Sequence, residues 1–235
     1  MRLMTLLLTG MLVQITLKAQ LLSTTPQFIR EGSSGVEITV DASKGNQGLF
    51  NYANTSDVYV HIGVITTASS GAADWKYSRF QWATTNTAAA CTSLGGNKWK
   101  FTLTGDLRTF FGVNNSNEKI LKIAILFRNG AGTTVQRNSD GSDMYIPVYE
   151  SGLQVRINEP FRQPTYVPVA EPISKNVGDL VTINAVTPSP ANINIDLNGS
   201  AIASQNSVTT LTTAHQITVG GVQKIIATAT DGTTT

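Results

Sequence analysis

The residues best suited to binding chemistry lie in the segment 57–82, DVYVHIGVITTASSGAADWKYSRFQW. Tyr59 and His61 alternate with aliphatic residues there, which predicts a strand with both of them on one face, because successive side chains of a strand point to opposite faces. A loop of small residues follows, and Trp75 and Trp82 come after it. Aromatic rings combined with a few hydrogen-bonding groups are typical of sites that hold sugars and other flat ligands. These four residues are therefore candidate ligand-binding residues.

A purely structural interpretation of the same residues stays open at this point. Trp75 would then belong to a hydrophobic core, and His61 would be a surface histidine with satisfied hydrogen bonds. Trp82 fits either interpretation. Trp99 alternates with Phe101 on one side of another predicted strand, and we assign it to the core.

The sequence offers no recognisable catalytic set. Glycoside hydrolysis, for example, needs two carboxylates about 5–10 Å apart. None of the available glutamates stands in a catalytic context, and we interpret them as ordinary surface acids: Glu31, Glu37, Glu118 and Glu150. The chain also lacks the long β/α repeat of a catalytic barrel. We therefore predict a chain with no catalytic residue and no enzymatic activity of its own.

One acidic loop resembles a calcium site only superficially. Asn138, Asp140 and Asp143 place oxygens at short spacing around a glycine, but the bidentate glutamate that closes a calcium loop is missing. We interpret the segment as a plain turn. Arg128 and Arg137 would bracket it, or would serve as surface or salt-bridge residues. No metal and no cofactor are expected.

The N-terminus and the charge balance indicate a secreted protein. Residues 1–19 combine an early arginine, an apolar run and a small residue before Gln20, which predicts a secretory signal peptide cleaved after Ala19. Without Arg2 and Lys18 the 17 basic residues become 15, equal to the 15 acidic ones. Neutrality without a basic cluster argues against nucleic acid or membrane as a partner. A monomer without membrane insertion is expected, and the single cysteine, Cys91, excludes an internal disulfide.

Short alternating segments separated by turn-forming residues make up residues 20–158. Residues 36–40 and 98–103 read as strands, and residues 107–113 as a short helix or turn. The segment 120–127 is apolar on both faces, so we predict that it is the central strand of its sheet. Short strands without a convincing long helix predict an all-β, antiparallel β-sandwich.

The second half of the chain begins with regularly spaced prolines. They predict a stiff, extended linker over residues 159–172: Pro160, Pro164, Pro168 and Pro172. Beyond it, Asn198-Gly199 between two alternating segments predicts a β-hairpin. We predict a second, immunoglobulin-like β-sandwich over residues 173–235. It is short for that class, so we expect an incomplete domain and a chain that is a fragment of a longer polypeptide.

The chain resembles a known group of proteins over residues 36–158, and more loosely beyond. The motif VYVHIG (58–63) followed by Trp75 is similar to starch-binding modules of carbohydrate-binding families 25 and 26. Further matching segments, in order, are DASKGNQGL (41–49), DWKY (74–77), LKIAILFRNGAGT (121–133) and DGSDMYIPVYESGLQV (140–155). Together they look like the N-terminal region of secreted α-amylase-family glycoside hydrolases from Bacteroidetes.

This resemblance implies a function and a set of site residues. It implies a non-catalytic module that binds starch or another α-glucan and precedes a catalytic domain. It places His61 and Trp75 at the sugar, with Tyr59 and Trp82 as neighbours and Asn129 in the position of a family polar residue. Residues 83–96 are bland where relatives often carry charged or aromatic residues. The alternative is a structural spacer or adhesion module that binds nothing small.

Overall fold

The computed structural model describes residues 20–167 and 173–232. In chain order, the elements are β1 (Leu22–Thr25), β2 (Glu37–Asp41), β3 (Val58–Thr66), β4 (Thr92–Gly95), β5 (Lys98–Thr102), α1 (Leu107–Phe111), β6 (Ile120–Asn129), β7 (Val135–Gln136), β8 (Met144–Pro147), β9 (Arg156–Glu159), β10 (Leu180–Leu197), β11 (Ser200–Gln216) and β12 (Ile225–Thr230). Strands account for 44% and helix for 4%. The predicted all-β class is confirmed.

Two four-stranded sheets face each other in the first half of the chain. One has the order β1-β2-β5-β4, and in the other β3 pairs β6, whose far side pairs both β7 and β8. All of these pairings are antiparallel. One continuous hydrophobic cluster contains side chains from both sheets. The arrangement is the predicted antiparallel sandwich, with the core between the two layers.

The alternation of β3 positions the candidate site residues. Val58, Val60, Ile62 and Val64 are all fully buried in the core between the sheets. Tyr59 and His61 point to the opposite side and are only partly buried. The outer face is defined here as the side of β3, β6 and β8 that is turned away from this core. Both candidate residues lie on the outer face, as the period of the strand predicts.

β6 holds the central position that its apolar sequence predicts. It lies between β3 on one side and β7 and β8 on the other. Its inward side chains Ile123, Ile125 and Phe127 are fully buried. On the outer face, Ala124 and Leu126 are buried as well. A layer of loops therefore covers part of the outer face, and the candidate site is built in that layer.

Trp99 belongs to the core, as predicted. Its side chain on β5 is 1% exposed, and its indole N–H donates to the carbonyl of Thr55 at 2.9 Å. Nearby, α1 forms where a short helix or turn was expected. Asp106 caps it by accepting from the backbone N–H of Thr109, and Gly112 ends it in the left-handed conformation.

The third sheet is built on one long hairpin. Asn198 and Gly199, both with positive φ (52° and 83°), connect β10 to β11, so the predicted hairpin is confirmed. After this turn, β11 runs without interruption for 17 residues. On its other side, β10 pairs β9 through its first half and β12 through its second half. The pairing of β10 with β11 contains register shifts. The immunoglobulin-like topology stays a prediction.

The expected linker differs from the structure over residues 159–167. β9 crosses the predicted boundary at residue 158 and pairs β10, so it belongs to the third sheet. The next residues pack back on the sandwich: Phe161 contacts its core, and the Pro164 carbonyl accepts from the Tyr145 N–H at 2.7 Å. Aromatic side chains give this proline-rich segment apolar surface to bury, which composition alone did not show. Residues 168–172 lie outside the described residues.

Two further expectations concern the membrane and the signal peptide. Within residues 20–167 and 173–232, no helix has the length and apolar character required to cross a bilayer. The predicted signal peptide, residues 1–19, lies outside the described residues and stays a prediction.

Candidate functional site

Five aromatic rings follow one another across the outer face. The ring centroids lie 5.1 Å apart for Trp82 and His61, 5.5 Å for His61 and Trp75, 6.3 Å for Trp75 and Tyr145, and 5.3 Å for Tyr145 and Tyr166. We call these five residues the aromatic row. They come from β3, β8, the loop after β3 and the segment after β9. The structure therefore brings His61, Trp75 and Trp82 together, as the sequence predicts.

His61 lies between the two indole rings. It stacks on Trp75 with the ring planes 23° apart and meets Trp82 nearly edge-on at 85°. Its Nδ1 atom is buried and has no hydrogen-bond partner. Burial and, next, the positive charge of Arg128 lower the pKa of His61, against a hydrogen bond to the Phe80 backbone that raises it. The imidazole therefore acts as a wedge between the two indoles. The contact of His61 with a sugar stays a prediction.

Trp75 is held in a fixed orientation by its polar edge. Its indole N–H donates to the Tyr145 hydroxyl at 3.3 Å, and that hydroxyl donates to the Ala72 carbonyl at 2.9 Å. The following residue, Lys76, exchanges two backbone hydrogen bonds with Val64 of β3. The loop is thus anchored to the free edge of β3 directly beside Trp75. With its N–H satisfied, the Trp75 ring can offer its apolar surface.

Trp82 is the most exposed tryptophan of the row, with 38% of its surface accessible. Its indole packs over Gly132, where a Cβ atom would come within 2.6 Å of the indole nitrogen. Gly132 also has φ of +70°, a conformation that other residues adopt at a cost. Sequence reasoning missed Gly132, because its role depends on a contact between residues 50 positions apart.

Arg128 is fully buried and clamps two turns together. Its Nη1 donates to the carbonyls of Asn129 and Gly130, and its Nη2 donates to those of Thr84 and Gln81. The guanidinium also lies 5.5 Å from the Trp82 ring. Arg128 is therefore a positioning residue for the Trp82 loop. It does not bracket the 138–143 loop, which was one expectation for it.

Tyr59 reaches the site through Arg128 rather than through the rings. The Arg128 guanidinium lies 5.8 Å from the Tyr59 ring centroid, and Tyr59 is half-buried against the edge of the sandwich core. The Arg128 guanidinium therefore lies near both the Tyr59 ring and the Trp82 ring. The ring quadrupole of each aromatic side chain attracts the positive charge. The structure makes Tyr59 a neighbour of the row.

Asn129 does not face the aromatic row. Its side-chain oxygen accepts from the backbone N–H groups of Thr133 and Thr134, and its amide donates to the Thr133 hydroxyl. The residue is 8% exposed. These bonds close the turn between β6 and β7. The expected sugar contact is replaced by a turn-forming role, which is common for asparagine.

The loop at residues 138–143 is a closed turn. The Asn138 amide donates to the Asp143 carbonyl, Asp140 accepts from the Ser142 N–H, and Arg137 pairs with Asp143 at 3.1 Å. Oxygens engaged in this way are not preorganised for calcium. Across the described ranges, no group of three or more His, Cys, Asp or Glu side chains is placed to hold a metal.

The four glutamates considered for catalysis are each engaged elsewhere. Three pair with cations: Glu31 with Arg108, Glu37 with Lys100 and Glu150 with Lys119. Glu118 is not a surface acid as expected: it is 8% exposed and accepts hydrogen bonds from the hydroxyls of Thr66 and Tyr77. These bonds offset the cost of burying its charge and fasten the loop after β3.

A larger cavity, of about 960 Å³, lies where β9 and β10 meet β1 and β2, and Tyr145 of the aromatic row is one of its lining residues. Its polar walls are bonded to one another. Arg156 donates to Asn158 and to the Gln27 carbonyl, and Gln20 donates to the Asn158 carbonyl. These polar groups already have hydrogen-bond partners, so they connect neighbouring segments of the protein. The aromatic row is the stronger candidate because four of its five rings, all but that of Tyr145, are at least partly exposed.

No protein-family model matches this chain, and no curated protein sequence matches it. Evidence on function therefore comes from the residues of the site and their geometry.

Proposed function

We propose that the outer face binds carbohydrate without cleaving it, and that the ligand is an α-glucan such as starch. The observation that carries the proposal is the contiguous arrangement of three rings, in which His61 stacks on Trp75 and meets Trp82 edge-on, with Trp82 38% exposed. A pyranose ring has an apolar face that packs on an aromatic side chain and hydroxyls that need donors and acceptors nearby. The resemblance to starch-binding modules supports α-glucan as the ligand class.

The rigidity of the site supports binding. Trp75 is oriented by Tyr145, and the Trp82 loop is held by the buried Arg128. A preorganised aromatic platform loses little conformational entropy when a ligand binds. In a secreted glycoside hydrolase, such a module would hold the attached enzyme near insoluble substrate and raise its local concentration.

The competing proposal is a structural spacer or adhesion module. It predicts that His61 and Trp75 are either buried or placed on different surfaces. The two rings instead stack on one face and are both partly exposed, which favours a binding role.

Native electrophoresis in gels with and without soluble starch tests the proposal. We expect the parent chain to be retarded by starch, and Trp82→Ala and Trp75→Ala to bind roughly tenfold more weakly or worse, since losing an aromatic anchor costs more than about 1 kcal/mol. Phe50→Ala is the matched control, because Phe50 is an aromatic residue 44% exposed outside the row. An unretarded parent, or tryptophan variants that migrate like Phe50→Ala, would contradict the proposal.

A further inference from the structure

A depression of about 300 Å³ continues the outer face beyond Trp75. Its walls include Tyr145 and Tyr166, the last two members of the aromatic row, and the ion pair of Arg137 with Asp143. Small residues at its rim, Ala72 among them, leave it open. Tyr166 lies in the proline-rich segment, and nothing in its sequence context connects it with the site.

Tyr145 joins this depression to the Trp75 end of the row. Its ring lies 6.3 Å from Trp75 and 5.3 Å from Tyr166, and its hydroxyl accepts the Trp75 N–H. Tyr145 of β8 therefore contacts both Trp75 and the Tyr166 wall of the depression. A ligand that leaves Trp75 in this direction meets Tyr166 next.

The polar wall of the depression suits hydroxyl groups. The Arg137 and Asp143 side chains keep 35% and 28% of their surface exposed. Asp143 is an acceptor, and both side-chain hydrogen bonds of Arg137 use Nη1, so other N–H groups of its fork remain for a ligand. Neighbouring hydroxyls of a sugar can accept from one group and donate to the other. The positive charge of Arg137 and the negative charge of Asp143 cancel, so the wall has no net charge and favours a neutral ligand over an anion.

We propose that the depression at Tyr166 is a second sugar subsite on the same face, so that the ligand is a glucan chain running from Trp82 to Tyr166 rather than a single sugar or chain end. This inference rests on the proposed glucan-binding function. It assigns Tyr166 as an aromatic platform, and Arg137 and Asp143 as hydroxyl-binding groups. Two subsites on one face raise the affinity for a long chain, because the second contact forms intramolecularly once the first is made.

Titration calorimetry of the chain with maltose and maltoheptaose tests the subsite. We expect the parent to bind maltoheptaose at least about tenfold more tightly than maltose. Tyr166→Ala should abolish most of that difference, because it should weaken maltoheptaose binding more than maltose binding. Tyr166→Phe, which keeps the ring, should preserve the difference, and Trp82→Ala should weaken both ligands.

The outcomes separate the two proposals. A parent that binds neither sugar contradicts the proposed function and the subsite with it. A parent that binds both sugars equally, or a Tyr166→Ala variant that keeps the full difference, contradicts the subsite and leaves the proposed function intact. If Tyr166→Ala unfolds, as thermal melting would show, the double variant Arg137→Gln/Asp143→Asn tests the polar wall, and the same loss of length dependence is expected.

Discussion

The His61 imidazole lies 5.5 Å from the Trp75 indole, measured between ring centroids, with the two planes 23° apart. The same imidazole meets the edge of Trp82 at 5.1 Å, so one side chain fixes both indoles. Since its Nδ1 atom is buried without a partner, His61 contributes shape more than hydrogen bonding. A histidine in this position is a positioning residue for the two tryptophans.

This relationship predicts how His61 variants bind starch. His61→Ala leaves a gap between the indoles, and we expect roughly tenfold weaker retardation in starch gels, comparable to the loss of a tryptophan. His61→Leu fills much of the gap with apolar volume and should keep most of the affinity. If His61→Leu binds as poorly as His61→Ala, the imidazole nitrogens contact the sugar and the wedge role is wrong.

The environment of His61 also predicts a dependence of stability on pH. Burial and the charge of Arg128 hold the pKa of His61 below its ordinary value of 6.5. The unfolded chain therefore takes up this proton first as the pH falls, so the contribution of neutral His61 is complete above about 6.5 and is lost as the pH falls through the lowered value.

Urea denaturation of the parent and of His61→Gln at a series of pH values measures this effect. The free energy of unfolding of the parent should fall relative to that of the variant as the solution is acidified below the ordinary imidazole pKa. Because the two proteins have the same carboxylates, the effect of carboxylate titration on the free energy of unfolding cancels in the difference between them. A constant difference between the two proteins from neutral to acidic pH would contradict the lowered pKa.

Arg128 supplies a prediction about the support of the site. Arg128→Lys keeps the charge but replaces a planar fork by a point charge that cannot reach the carbonyls of both turns. We expect a loss on the order of 2–3 kcal/mol in the free energy of unfolding, because buried carbonyls lose charge-assisted hydrogen bonds. Arg79→Lys is the matched control: Arg79 is exposed and should change stability by less than about 0.5 kcal/mol. Equal effects of the two substitutions would show that Arg128 is not a clamp.

Asn129 predicts a change in stability without a change in binding. Asn129→Ala removes the oxygen that accepts from Thr133 and Thr134, which should cost about 1–3 kcal/mol since two donors lose their partner. Asn129→Asp keeps an oxygen in the same place and should lose less. Thermal melting gives the order of the three proteins. If folded Asn129→Ala showed starch retardation reduced as far as Trp82→Ala, Asn129 would be a ligand contact after all.

The parts of the fold and of the site that were predictable from the sequence depend on patterns within short segments. The period of β3 alone places Tyr59 and His61 on the face opposite Val58 and Val60, and the Asn198-Gly199 pair alone predicts its hairpin. In β8, the same alternation holds: Met144 and Ile146 are inward, and Tyr145 points away from the core. In each case the information lies within a few residues of the feature.

The parts that were not predictable depend on contacts between distant segments. The sequence predicts Arg128 as a surface or salt-bridge residue. Only the tertiary structure shows that its guanidinium donates to the carbonyls of Gln81 and Thr84. Tyr166 stands in a segment whose prolines indicate a free linker, and only its packing on Tyr145 makes it part of the face. Asn129 has the residue type of a ligand contact, but its amide turns back to its own turn. Residue type shows what a side chain can do, and the tertiary contacts decide whether it does so.

Substitution of Gly132 tests the position of Trp82 separately from backbone strain. Gly132→Ala would place a Cβ 2.6 Å from the Trp82 indole nitrogen, in a residue with φ of +70°. We expect a loss of about 1–2 kcal/mol in stability from the left-handed backbone and, in addition, a displaced Trp82 with roughly tenfold weaker starch binding. Gly112→Ala is the matched control, since Gly112 has φ of +75° but open space around its Cβ position. It should lose similar stability and keep its starch retardation. If both variants bind starch equally well, the position of Trp82 over Gly132 does not matter for the ligand, and the platform assigned to Trp82 would have to be withdrawn.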